Sequence, residues 1–119
     1  MFTEGWEKSW HIVDGDALLS KELMPIFEKY LTALQKKGAS KSTMKRHINA
    51  CHAIGGYIIN QVFKYEWDEP EEPWNGEEII FRCVFGLDGP LIHHDNPALQ
   101  KEVDATSRKL YTFILKGTV

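Results

Sequence analysis

The densest chemistry in this 119-residue sequence is a run of cations. Between Gln35 and His47 stand Lys36, Lys37, Lys41, Lys45 and Arg46, with no acid among them. Ser40, Ser42 and Thr43 are interleaved with these residues. Ammonium and guanidinium groups beside hydroxyls suit phosphate oxygens, which they bind without reading base sequence. Lys36 and Lys37 have a local explanation, since they precede Gly38 and would close a helix, where cations suit the dipole. Lys41, Lys45 and Arg46 would instead open the next helix, where a cation costs about 0.3–1 kcal/mol at an exposed site. A bound phosphate reverses the sign of that cost. A solvated charged face is the plain alternative.

The opposite charge gathers elsewhere. From Glu66 to Glu78 there are seven acids and no base. Trp67 and Trp74 flank Asp68 to Pro73. Either the two indoles anchor a solvated loop to the core, or they mark a docking site for a basic partner or a second copy. Paired acids at Glu71-Glu72 and Glu77-Glu78 read as solvated, whereas general acid–base work needs carboxylates perturbed by burial.

Other constellations are thinner. His93-His94-Asp95, Cys51-His52 and Cys83 offer metal-type ligands at no standard zinc spacing. Cys51 and His52 are adjacent on a helix and point about 100° apart, so they would not chelate one ion. Neither cysteine sits in a nucleophile motif, and Gly55-Gly56 lies mid-helix rather than in a phosphate-binding loop. The expectation is no metal, no cofactor and no catalytic residue.

The elements that must position these groups are helical. Trp6 and Trp10 are four apart and share a face, with Thr3 available as a cap. Asp14-Gly15-Asp16 reads as a turn. Ser20 is the expected N-cap of the next helix, with Pro25 in or just after its first turn and Leu23, Phe27, Tyr30, Leu31 and Leu34 inward. Gly38 ends that helix. Ser40 or Ser42 caps a second one running from about Lys41 to Phe63, with Met44, Ile48, Cys51, Ile58, Ile59 and Val62 inward. A two-residue link makes the pair antiparallel. Gly55-Gly56 inside the second helix costs about 1 kcal/mol per glycine, which implies close approach of a neighbour. Pro70 and Pro73 break the pattern into an acidic loop. Asn75 caps a short helix over Gly76 to Phe85, and Asp88-Gly89-Pro90 is a turn. Asn96-Pro97 opens a last helix to about Leu115, burying Leu99, Val103, Leu110, Phe113 and Ile114, and Gly117 follows its end. The domain plan is one unit: an N-terminal segment at 1–19, a helix pair at 20–63, an acidic loop at 64–75 and two further helices at 76–115.

Composition sets the outer limits. A chain of this length, 43% hydrophobic and 26% charged, matches a single globular domain rather than a disordered one. The net charge of −3 runs against a strongly basic nucleic-acid binder, so any such role rests on the local run. Two cysteines are too few for a disulfide framework and read as buried free thiols of a reducing, cytoplasmic compartment. No apolar stretch long enough for a membrane span and no signal-peptide core is present.

The stretch from Leu23 to Phe63 resembles the N-terminal core-binding domain of tyrosine recombinases, the phage integrases. The resemblance is carried by an apolar helix with aromatics, the link Gly38-Ala39-Ser40-Lys41-Ser42-Thr43 and a second helix with a basic start. It covers about a third of the chain. The full length is also similar to a group of short bacterial proteins, through Ala53-Ile54-Gly55-Gly56-Tyr57-Ile58-Ile59, Asp88 to Leu91 and Ser107 to Phe113. These resemblances imply a SAM-like helical fold and no settled activity. The recombinase catalytic set is not carried over: no histidine is followed by Arg at the third position, and Tyr111 near Arg108 lacks the remaining groups. The reading is an all-α, SAM-like bundle of four to five helices that contacts double-stranded DNA through Lys36, Lys37, Lys41, Ser42, Thr43, Lys45 and Arg46. The alternative is a protein-interaction or assembly module, with Trp67 and Trp74 docking a partner or a second copy.

Overall fold

The computed structural model describes residues 2–10, 16–64, 76–83 and 91–119. Within them the chain is all-α, with helices α1 Trp6–Trp10, α2 Asp16–Lys36, α3 Lys41–Lys64, α4 Gly76–Cys83 and α5 Pro97–Lys116. No strand occurs among the described residues, and no helix there is long and apolar enough to cross a membrane. The acidic segment 65–75, with Trp67, Trp74 and the Asn75 cap, lies outside them. So do the Asp14-Gly15 turn, the stop at Gly86, the Asp88-Gly89-Pro90 turn and the side chains of Val62 and Cys83.

The link between α2 and α3 is set by local chemistry. Gly38 adopts φ 98°, a left-handed conformation that glycine takes without a Cβ clash. The Ala39 N–H then donates to the Leu34 carbonyl at 3.2 Å and the Gly38 N–H to that of Gln35 at 3.0 Å. This pair of bonds is a Schellman closure. Ser40 opens α3 as its cap: its Oγ accepts from the Thr43 N–H at 3.2 Å, and its carbonyl from the Met44 N–H at 2.8 Å. The chain reverses within these residues, so α2 and α3 lie antiparallel, with Tyr30 beside His47.

One core joins all five helices. Leu23, Phe27, Tyr30, Leu31 and Leu34 of α2 are buried against Met44, Ala50, Cys51, Ile54, Ile58 and Ile59 of α3. Ile79 and Ile80 of α4 and Val103 and Leu110 of α5 complete it. Cys51 is a buried free thiol. α5 begins at the Asn96 cap, whose Oδ1 accepts from the Leu99 N–H at 3.1 Å, with Pro97 behind it. It ends at Gly117, whose N–H donates to the Phe113 carbonyl. Gln100 Oε1 also accepts from the N–H groups of Ile92 and His93, both at 2.9 Å, and so pins the approach to the cap.

The glycine pair has its neighbour. The Trp10 indole lies across Gly55 and Gly56, and a Cβ at Gly55 would overlap the ring. At Gly56 the nearest ring atom would be 3.4 Å from such a Cβ, an ordinary contact. Trp10 Nε1–H donates to the His52 carbonyl at 3.0 Å, which fixes the ring along the α3 backbone. Trp6 stacks behind it at 5.3 Å and meets Phe27 edge-on at 6.0 Å. Both indoles are buried.

Other expectations change. Ser20 is not an N-cap: α2 begins at Asp16, and Ser20 is fully buried inside it with its Oγ unbonded. An acid at the helix start followed by Ala-Leu-Leu propagates the helix earlier than the serine suggested. The N-terminal segment is thereby shorter than 1–19, and Pro25 is interior to α2 rather than in its first turn. Its ring removes the donor for the Lys21 carbonyl, a loss tolerated because Lys21 and Pro25 are exposed. Thr3 does not cap α1 through its side chain, since its Oγ1 is buried without a partner while its carbonyl accepts from the Trp6 N–H at 3.2 Å. Leu99 is 40% exposed, because it precedes by one turn the point where Val103 enters the core, and Phe113 and Ile114 are half-buried.

Candidate functional site

The cations of the basic run flank the turn at Gly38. Lys36 and Lys37 close α2, and Lys41, Lys45 and Arg46 open α3, all of them exposed. On α3, Lys41, Lys45 and Asn49, and beside them Ser42 and Arg46, form a solvent-exposed ridge, since positions four apart lie nearly in line along a helix. No acid occupies the first turn of this 24-residue helix.

The residues of the basic run differ in how far they are committed elsewhere. Lys37 Nζ donates to the Val119 main-chain oxygen at 2.6 Å, so it also ties down the segment beyond α5. Arg46 Nε stands 4.0 Å from a Glu102 carboxylate oxygen, a loose pair with the arginine side chain 64% exposed. Such an exposed pair contributes little and yields readily to another anion. Ser40 Oγ, tied into the cap, also donates to Thr43 Oγ1 at 3.1 Å. Ser42 stands exposed on the ridge, whereas Thr43 is half-buried and turned away from it.

Thr43 leads to a cleft of about 370 Å³ between α3 and α5, lined by Thr43, Arg46, His47, Lys101, Glu102 and Thr106, with Ala98 and Ala105. Beneath it lies a buried polar junction that sequence reasoning missed. Tyr30 Oη and Thr106 Oγ1 stand 3.2 and 3.1 Å from His47 Nδ1. One residue from each of α2, α3 and α5 thus meets at a single nitrogen. Burial pushes the Tyr30 phenol above its ordinary range, with Cys51 adding to the effect. Burial is also the main cause holding His47 below the ordinary imidazole value, followed by Lys109 and Arg46, while Glu102 opposes them weakly. The junction is therefore uncharged at neutral pH. The only signal for it in the sequence was the helical spacing that puts His47 with Met44 and Cys51 on the inner face of α3.

The remaining surfaces offer less convergent chemistry. A hollow of about 290 Å³ beside Lys41 and Lys45 is walled largely by Phe2, Ala39, Met44 and Ile48. The outer face of α2 carries a wider groove of about 680 Å³ over Met24, Pro25 and Ala33, flanked by Lys21, Lys29 and Lys36. Its one acid, Glu28, accepts from the Phe2 N–H at 2.8 Å. Among the described residues no three of His, Cys, Asp and Glu gather as metal ligands. Burial raises the Cys51 thiol well above its usual range, which makes it a poor nucleophile. Trp67 and Trp74, the expected docking residues, lie outside the described residues.

Compared with protein-family models, curated proteins and solved structures, the chain matches none.

Proposed function

We propose that this chain is a non-catalytic module that holds double-stranded DNA by its phosphates, through the α3 ridge of Lys41, Ser42, Lys45 and Arg46. Lys36 and Lys37 add to the local field. The observation that carries this reading is the exposure of Lys41, Lys45 and Arg46 together at the start of a long helix with no acid in its first turn. Lys41 in the first turn stands against the helix dipole, Lys45 and Arg46 follow in the next turn, and a phosphate on the same surface turns this unfavourable field into attraction. The likeness of residues 23–63 to a SAM-like integrase core-binding domain points to the same ligand, as does the basic link between the two helices. The domain works in the cytoplasm, needs no cofactor and binds with little base preference, since contacts to phosphate carry no sequence information.

The test is fluorescence anisotropy of a labelled duplex at several salt concentrations, beside a Lys45→Glu/Arg46→Glu double variant. Affinity should fall with salt at a log–log slope of about −3 if three phosphates are neutralised. The double variant should lose most of the binding and flatten the slope. Affinity that is absent, or independent of salt, overturns the proposal.

A further inference from the structure

The cleft between α3 and α5 holds polar groups that a purely exposed ridge does not use. Ser40 donates its hydroxyl proton to Thr43 Oγ1. That leaves the single proton of the Thr43 hydroxyl to be aimed at another acceptor, and Thr43 lines the cleft. His47 is 8% exposed and lines the same cleft, while its Nδ1 lies against the Tyr30 and Thr106 hydroxyls. Tyr30 retains its proton because burial opposes ionisation. Nδ1 can accept from either hydroxyl, and in that tautomer the ring's own proton sits on Nε2, which then serves as a donor. Arg46 and Lys101 bring two positive charges to the rim, against the one negative charge of Glu102.

We propose that this cleft binds a single phosphate group, with Arg46 and Lys101 supplying the charge and Thr43 and His47 supplying directed hydrogen bonds. Two helices contribute, so the site is more than the start of either one. Glu102 is the resident competitor: its carboxylate stands near Arg46 until a phosphate replaces it. The inference rests on the reading of the α3 ridge as a phosphate-facing surface, because Arg46 belongs to both. It adds Lys101 and His47, which the ridge does not include. The group bound is either a backbone phosphodiester of DNA or the monoester of a small phosphorylated molecule, and the two sources are separable.

The experiment is an NMR titration of the intact chain, following the His47 ring nitrogens and the Thr43 and Ala98 amides. Three arms are run, with inorganic phosphate, a deoxynucleoside monophosphate and a short duplex. Saturable shifts of these resonances are expected in at least one arm. Lys101→Ala should weaken that binding at least about tenfold, the effect of losing one charge-assisted hydrogen bond. Glu102→Gln should strengthen it by up to about fivefold, the value of an exposed pair. Lys101 is exposed and Glu102 only half-buried, so both variants keep the fold, which the unchanged dispersion of the remaining amides verifies. Resonances that stay still in all three arms, or shifts indifferent to Lys101→Ala, overturn the cleft site. Duplex binding that depends on Lys45 but not on Lys101 overturns the cleft and leaves the ridge intact. Binding of phosphate or monophosphate in the cleft without duplex binding sustains the cleft, assigns it a small-molecule source and removes the DNA reading.

Discussion

The two halves of α3 are built on different physics. Its later half is a steric fit, in which Trp10 lies on Gly55 and Gly56 and is pinned by a hydrogen bond to the His52 carbonyl. Its first half is an electrostatic arrangement, with exposed cations outside and a hydrogen-bonded Tyr30–His47–Thr106 junction inside. At Gly55 an added atom is resisted, because the seated ring leaves no room for extra volume. On the exposed face of the first half side chains can be exchanged at small cost in stability, and what changes is charge. The contrast separates the part of the helix that holds the fold from the part that is free to meet a ligand.

The contrast is broken most directly at the steric end. Trp10→Ala should cost about 3–5 kcal/mol in a denaturant titration, as for other large-to-small core changes involving tryptophan. Gly55→Ala should cost about 1–3 kcal/mol, since the new Cβ overlaps an immobilised ring. Gly56→Ala, one residue on, should be neutral or stabilising by up to about 1 kcal/mol, because its Cβ meets the ring at ordinary distance and alanine favours the helix. Equal costs at the two glycines would show that the indole is not seated as described.

Smaller effects sharpen the other end. Tyr30→Phe should cost about 1 kcal/mol, the net value of one hydrogen bond, because Thr106 still serves His47 Nδ1. The same junction gives stability a pH dependence with a defined sign. Burial is the leading cause that lowers both His47 and His52 below the ordinary value of 6.5, so the unfolded chain binds these protons more tightly than the folded one. The stability held by the neutral rings is fully present above pH 6.5 and is lost as pH falls from there toward the folded values. Thermal midpoints measured from pH 8 downward should be flat and then decline, and a rise on acidification through this window would contradict the buried neutral assignment. The smallest effect belongs to Lys45→Glu/Arg46→Glu. Replacing these exposed cations by acids in the second turn of α3 should change stability by no more than about 0.5 kcal/mol, even as duplex affinity disappears. A large loss of stability instead would place these residues in the fold rather than on a ligand surface.

Much of the fold was legible because helix ends are local. The cap at Ser40, the closure at Gly38, the Asn96-Pro97 start and the Gly117 stop each depend on residues within a few positions. The glycine pair announced a close neighbour, but its identity depends on Trp10, 45 positions away in the sequence. Ser20 misled because a serine before an apolar run resembles a cap, and only the earlier turn of helix from Asp16 reveals it as buried. Leu99 has the spacing of a core residue but sits beyond the reach of α3. For the site, the basic ridge could be read from charge alone. The cleft beside it could not, because Thr106 and Lys101 arrive from α5 and His47 meets its partners across 17 and 59 residues.

Trp10 also bears on the order in which the molecule assembles. Its seat is made by α3, whereas α2 and α3 are joined by a short turn and can find one another early. Once that pair has formed only residues 11–15 separate Trp10 from α2, so docking of the indole is a short closure that follows the pair rather than nucleating it. A contact made after the rate-limiting step governs how fast the native state opens rather than how fast it forms. The indole thus acts as a latch: it sets the lifetime of the folded chain more than the speed of its folding.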